Sequence, residues 1–154
     1  KGTKIGLKLY DVERLNISGV EISNFNAYGI EAQYLGRSYE YGIKLTDNYL
    51  HDNYCGLKLS NEAEYSTFIG NSICRNQIGV RCDSGNNAFT GNHIDKNRVA
   101  VVMSNGFNDS HVNNIIHQAL ATNSSMNVVI FKELNDTIKL SKIEEMLLNK
   151  FSEF

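Results

Sequence analysis

The chain predicts an all-β solenoid, and three observations carry that prediction. A skeleton of Asn, any residue, an aliphatic, two polar residues, Asn, two residues, Gly and an aliphatic appears as NYLHDNYCGL at 48–57 and as NSICRNQIGV at 71–80. It recurs as NHIDKNRVAV at 92–101 and, more loosely, as VEISNFNAYGI at 20–30. Apolar residues in and around these units alternate with period 2 and not 3.6, in GLKL, GVRC and AVVM, then STFIG or NAFTG, then NSI or NHI. The aliphatic positions after the glycine, Leu7, Ile30, Leu57, Val80, Val101 and Val128, are separated by 23, 27, 23, 21 and 27 residues. A pattern that returns at this interval is a structural repeat, and the uneven interval places loops of variable length inside it.

Each unit holds three short strands in about 22 residues, which suits a parallel coil whose like strands stack ~4.8 Å apart. Six first strands make a rod of five to six coils, roughly 25 Å long at that spacing. In the first strand Leu57 and Leu59, Val80 and Cys82, and Val101 and Met103 point inward, while Lys58, Arg81 and Val102 point outward. The aliphatic of the third strand, Leu50, Ile73, Ile94 or Ile116, also points inward.

The bends account for the asparagines. Asn48, Asn71, Asn92 and Asn114 precede the third strand, and Asn53, Asn76 and Asn97 follow it. An Asn side chain tolerates left-handed backbone and carries both donor and acceptor, so stacked asparagines are expected to hydrogen-bond from coil to coil. Gly29, Gly56 and Gly79 are expected to permit a sharp return into the first strand, with Ala100 relaxing that demand once. The coils occupy residues 1–132, and 133–154 form a terminal strand or turn and a capping helix. In LSKIEEMLLNKF, Ser141 and Glu144 make a capping box, and Ile143, Met146, Leu147, Phe151 and Phe154 share one stripe. That stripe is expected to cover the last coil, or to serve assembly into a homotrimer.

Composition narrows the function. With 154 residues and 42% hydrophobic content the chain can bury one real core, and 21% charged content argues against disorder. A formal charge of −2 supplies no broad basic surface, so nucleic acid is not an expected partner. The longest apolar runs, such as VAVVM at 99–103, are too short for membrane insertion. KGTKIGLKLYDV lacks the marks of a secretory leader and reads as the interior of a longer chain. Cys55, Cys74 and Cys82 follow no metal spacing and are expected as packed free thiols, so no metal site and no cofactor are expected.

Two other solenoids fit less well. A leucine-rich repeat needs L-x-x-L-x-L-x-x-N around each strand, which GLKLSNEAEY and GVRCDSGNNAF do not supply, and a hexapeptide left-handed coil keeps a stricter period. NSICRNQIGVRCDSGNNAFTGNHIDKN and NYLHDNYCGLKLS resemble the right-handed parallel β-helix repeats of the pectate-lyase-like superfamily, over roughly residues 5–132. The resemblance implies a right-handed parallel β-helix and a polysaccharide context, because that superfamily includes pectate lyases, rhamnogalacturonases, alginate epimerases and bacteriophage tailspikes. NGFNDSHVNNIIHQA at 105–119 is similar to stretches of phage-type β-helices. The implied partner is a polysaccharide or cell-surface glycan, and the implied setting is extracellular or on a virion surface.

Chemistry-bearing residues fall in three groups. The outward column Lys8, Glu31, Lys58, Arg81 and Val102 places Lys58 and Arg81 to hold an acidic sugar, with Glu31 or Asp83 as base or metal ligand if loops converge. The other reading of the column is a solvated face whose charges pair. His51, Asp52, Arg75, His93, Asp95 and Lys96 gather on the third strand and the next turn, without the convergence a metal needs. Tyr28, Tyr34, Tyr39, Tyr41, Tyr49, Tyr54 and Tyr65 cluster in the first half beside QYLGRSYEYG at 33–42, where Tyr34, Tyr39 and Tyr41 are candidates to stack on sugar rings. Three functional classes follow: a glycan-binding or depolymerising segment of a tailspike or similar fibre, a polysaccharide lyase, epimerase or hydrolase, and a non-catalytic structural β-helix.

Overall fold

The computed structural model describes residues 2–35 and 42–103 in full, and 110–112, 115–118 and 129–130 as backbone. The first coil consists of β1 (Ile5–Tyr10), β2 (Asn16–Ser18) and β3 (Glu21–Ser23). The second consists of β4 (Tyr28–Gln33), β5 (Lys44–Thr46) and β6 (Tyr49–His51), and the third of β7 (Cys55–Ser60), β8 (Thr67–Ile69) and β9 (Ser72–Cys74). β10 (Ile78–Cys82), β11 (Ala88–Thr90) and β12 (His93–Asn97) make the fourth. β13 (Val99–Met103), β14 (Ser110–Val112), β15 (Ile115–Gln118) and β16 (Val129–Ile130) prolong the same sheets.

Like strands stack in parallel into three sheets, ordered β1-β4-β7-β10-β13-β16, β2-β5-β8-β11-β14 and β3-β6-β9-β12-β15. The molecule is therefore an all-β parallel solenoid, with four coils described in full apart from 36–41. Leu7, Ile30, Leu57, Val80 and Val101 stand in one register, as the repeat predicts. Leu50, Ile73, Ile94 and Ile116 do so in the third sheet. Val128, Asn114, Tyr39, Tyr41 and the helix expected within 133–154 lie outside the described residues.

Inside the coils, Ile30, Leu57 and Val80 from sheet one meet Leu45 and Phe68 from sheet two and Leu50 and Ile73 from sheet three, all essentially buried. Phe68 and Phe89 stack with centroids 4.7 Å apart. Each such side chain contributes about 1.5–3 kcal/mol relative to exposure, so the core and not the ladder hydrogen bonds supplies most of the driving force.

The corners use one device. Between sheets two and three a left-handed residue, Gly19, Asp47, Gly70 or Gly91, is followed by Val20, Asn48, Asn71 or Asn92. Between sheets three and one, left-handed Asn24, Asp52, Arg75 and Lys96 are followed by Phe25, Asn53, Asn76 and Asn97. Each buried asparagine bonds to the coil before it. Asn71 Oδ1 accepts the Asn48 backbone N–H at 3.0 Å, and Asn71 Nδ2 donates to the Leu45 carbonyl at 3.0 Å. Asn76 treats Asn53 and Leu50 in the same way, at 2.8 and 3.1 Å. Val20 and Phe25 fill the asparagine positions of the first coil, where their backbone N–H groups donate to Asn48 Oδ1 and Asn53 Oδ1.

The glycines before the aliphatic column serve a different purpose from the one expected. None of Gly29, Gly56 and Gly79 has positive φ; a Cβ on Gly56 would come 2.8 Å from the Gly79 carbonyl oxygen, 2.7 Å from Ile73 Cγ2 and 3.0 Å from Asn76 Nδ2. They are small because the asparagine column and the next coil press against them. Ala100 stands where the residue paired with Asn97 in the following coil is Gln118.

Candidate functional site

The outer face of sheet one carries the charged column in register, with Lys8 beside Glu31, Glu31 beside Lys58, Lys58 beside Arg81 and Arg81 beside Val102. Period-2 alternation turns these side chains outward while their neighbours fill the core. Glu31 is 6% exposed and is the centre of the group. The Lys8 and Lys58 ammoniums each lie 3.9 Å from one of its oxygens, and Gln33 Nε2 donates to Oε1 at 3.0 Å. Lys58 also donates to the Tyr28 hydroxyl at 3.3 Å and sits 4.8 Å above the Tyr28 ring. Arg81 Nε donates to Asp83 Oδ2 at 2.8 Å, and this carboxylate pushes the guanidinium further toward its charged form. Both carboxylates singled out in the sequence are thus already engaged by cations.

Tyrosines flank this floor on both sides. Tyr34 follows β4 with left-handed backbone and meets Tyr10 edge-on, ring centroids 5.4 Å apart. Their exposures of 42% and 57% leave about half of the pair's surface to solvent. At the other side stand Tyr28 and the exposed Tyr54. Of the three predicted sugar-stacking tyrosines, Tyr34 is therefore at the edge of the face, and Tyr39 and Tyr41 lie outside the described residues.

With parallel coils, three sheets and asparagine corners established, the family can be stated. A family model described as a right-handed beta helix region matches residues 1–133. The chain belongs to the right-handed β-helix family. No curated protein and no solved structure matches it.

A second polar group of this β-helix forms on sheet three, and the sequence revealed only part of it. His51, Asp52 and Arg75 come together as their spacing suggested, joined by Glu21 from the first coil and Tyr49. His51 Nε2 lies 2.8 Å from Glu21 Oε1 and Nδ1 lies 2.6 Å from Asp52 Oδ2. Arg75 Nη2 lies 3.0 Å from Nδ1 and donates to Asp52 Oδ2 at 2.9 Å. Tyr49 stacks on His51 with centroids 4.1 Å apart, and its hydroxyl accepts from Arg75 Nη1 at 3.0 Å. The Arg75 hydrogen bond, and then that of His51, lowers Asp52 to about 2.

This network fastens three successive coils. Among the described residues no three His, Cys, Asp or Glu side chains group as metal ligands would. Of the other residues in this group, His93 is in register with Ser72, and Lys96 pairs with Asp95 at 3.5 Å. Glu21 was missed because it is in register with Tyr49 and reaches His51 diagonally. Only pairing across coils reveals that neighbour.

Proposed function

We propose that this β-helix recognises a polysaccharide or cell-surface glycan along the outer face of sheet one, as part of a tailspike or similar extracellular or virion-surface fibre. The observation that carries the reading is the in-register column Lys8, Glu31, Lys58 and Arg81 with exposed tyrosines along both sides. Sugar rings offer C–H faces to aromatic side chains and hydroxyls to charged ones, which is the combination this face presents. Lys58, Arg81 and Tyr34 are the contacts proposed here, with Tyr39 and Tyr41 of the adjoining loop.

Binding is favoured over chain cleavage by the state of the carboxylates. A hydrolase needs one carboxyl as acid and another as base or nucleophile, and a lyase needs a base at the C5 proton. Glu31 is held between two ammoniums and Asp83 is held by Arg81. The same reading takes residues 141–154 as an amphipathic cap over the last coil, or as the contact of a homotrimer.

The test is incubation with a panel of acidic and neutral polysaccharides, following reducing ends, absorbance of unsaturated uronates, and retention of oligosaccharide. Retention without product is expected. Product above protein-free controls would establish a lyase, epimerase or hydrolase instead, and absence of both would leave a structural β-helix.

A further inference from the structure

We infer that the corner joining sheet three to sheet one in the first two coils holds a subsite for a single uncharged pyranose ring, stacked on Tyr54. A groove of about 210 Å³ opens there, lined by Thr3, Asn26, Ala27, Tyr28 and Tyr54. Its size is below the roughly 300–1,000 Å³ of sites for drug-sized ligands, which limits the occupant to one sugar unit.

Tyr54 is not there for the fold. The corner uses its backbone, whose N–H donates to the Phe25 carbonyl at 2.9 Å and whose carbonyl accepts from Ile78 at 2.8 Å. Gln77 and Arg98 serve the same position in the next two coils, with Gln77 likewise accepting from Val99. A phenol ring left 53% exposed at a position where polar side chains suffice is available to a ligand.

The groove itself comes from an irregularity. Four residues, 24–27, connect β3 to β4, whereas three, 52–54, connect β6 to β7, as the pairings Ser23 with His51 and Tyr28 with Cys55 require. The additional residue sets Ala27 beside the opening. Asn26 spans it to Gly2 and Lys4, accepting the Lys4 N–H at 2.7 Å and donating to the Gly2 carbonyl at 3.2 Å.

The lining has two phenol rings, an amide and a hydroxyl, and no charged side chain. The neighbouring cation, Lys58, is bound to the Tyr28 hydroxyl and to Glu31. The chemistry therefore fits a neutral ring with hydroxyls at its edge and a C–H face for Tyr54, and not the acidic sugar that Lys58 and Arg81 suggest from sequence. The choice of a sugar rests on the glycan reading above, but the residues are a separate set.

Saturation-transfer NMR with methyl α-glucoside, galactoside, mannoside and rhamnoside as probes tests the subsite on the whole chain. Transfer to at least one probe is expected, reduced at least fivefold by Tyr54→Gln, which copies the next coil and leaves the melting temperature unchanged. Transfer should also fall in Thr3→Phe, which fills the groove, and should persist in Tyr34→Ala and Arg81→Ala. No transfer to any probe, or transfer that survives both Tyr54→Gln and Thr3→Phe, overturns the proposal. Polysaccharide retention lost in Arg81→Ala, together with no Tyr54-dependent pyranoside transfer, would keep the glycan reading and discard the groove. Pyranoside binding that depends on Tyr54, with no polysaccharide retained, would do the reverse.

Discussion

Asn92 Oδ1 accepts two hydrogen bonds from Asn71, one from the side-chain Nδ2 at 2.9 Å and one from the backbone N–H at 3.0 Å. Asn71 offers the same pair of contacts to Asn48. Each buried amide is thus both supported by the next coil and supporting the last, which is why the column behaves as a unit. Replacing Asn71 with Ala strands the buried Asn48 N–H and Leu45 carbonyl. At ~1–3 kcal/mol for each unsatisfied group, a loss of about 2–6 kcal/mol is expected in denaturant melts. Glycan retention at a temperature well below the melt should be unchanged; a parent-like melt with lost retention would show the residue belongs to a site.

Gly56 makes the complementary case. A methyl group there meets Gly79 oxygen, Ile73 and Asn76 from the adjoining structure, so Gly56→Ala is expected to destabilise by about 1–3 kcal/mol through overpacking. Chemical unfolding would measure it. A neutral effect would mean the coils can move apart along the axis without cost.

The Asp52 network gives a pH dependence whose direction can be worked out. Folding lowers Asp52 from 3.8 to about 2, so the unfolded chain takes up the proton first as pH falls. The stabilisation is complete above about pH 4 and is lost as pH falls through 2. Because the carboxylate is solvent-accessible, the effect is expected to be modest. Thermal melts between pH 5 and 2 should fall less steeply in Asp52→Asn than in the parent, and identical slopes would place the acid sensitivity elsewhere.

All three cysteines are free and buried. Burial pushes the Cys55 thiol up to about 12, and its Sγ lies 3.3 Å from the Leu57 carbonyl. Cys82 is bonded to the Ser84 carbonyl at 3.1 Å. An aromatic disulfide reagent at pH 8 should find almost no reactive thiol in the native protein and three after denaturation. Fewer than three in freshly denatured protein would reveal a disulfide or an oxidised thiol.

Much of this architecture could be read along the chain because a coil is nearly one-dimensional. Period 2 assigns each side chain a face, and the repeat interval assigns each residue its neighbour one coil away, so Lys8, Glu31, Lys58 and Arg81 could be aligned before any coordinate was known. The asparagine columns followed from the same arithmetic.

Contacts that leave this grid could not be read that way. Glu21 is level with Tyr49 and reaches His51 diagonally, because the direction a side chain takes depends on local backbone and packing and not on spacing. The role of Gly56 was likewise hidden: its neighbours Ile73, Asn76 and Gly79 are set by how closely successive coils approach. So was the groove at Tyr54, which exists because one corner is a residue longer than the corner above it. A repeat specifies which residues are level with one another, whereas the distance and angle at which their side chains meet are set by packing in three dimensions.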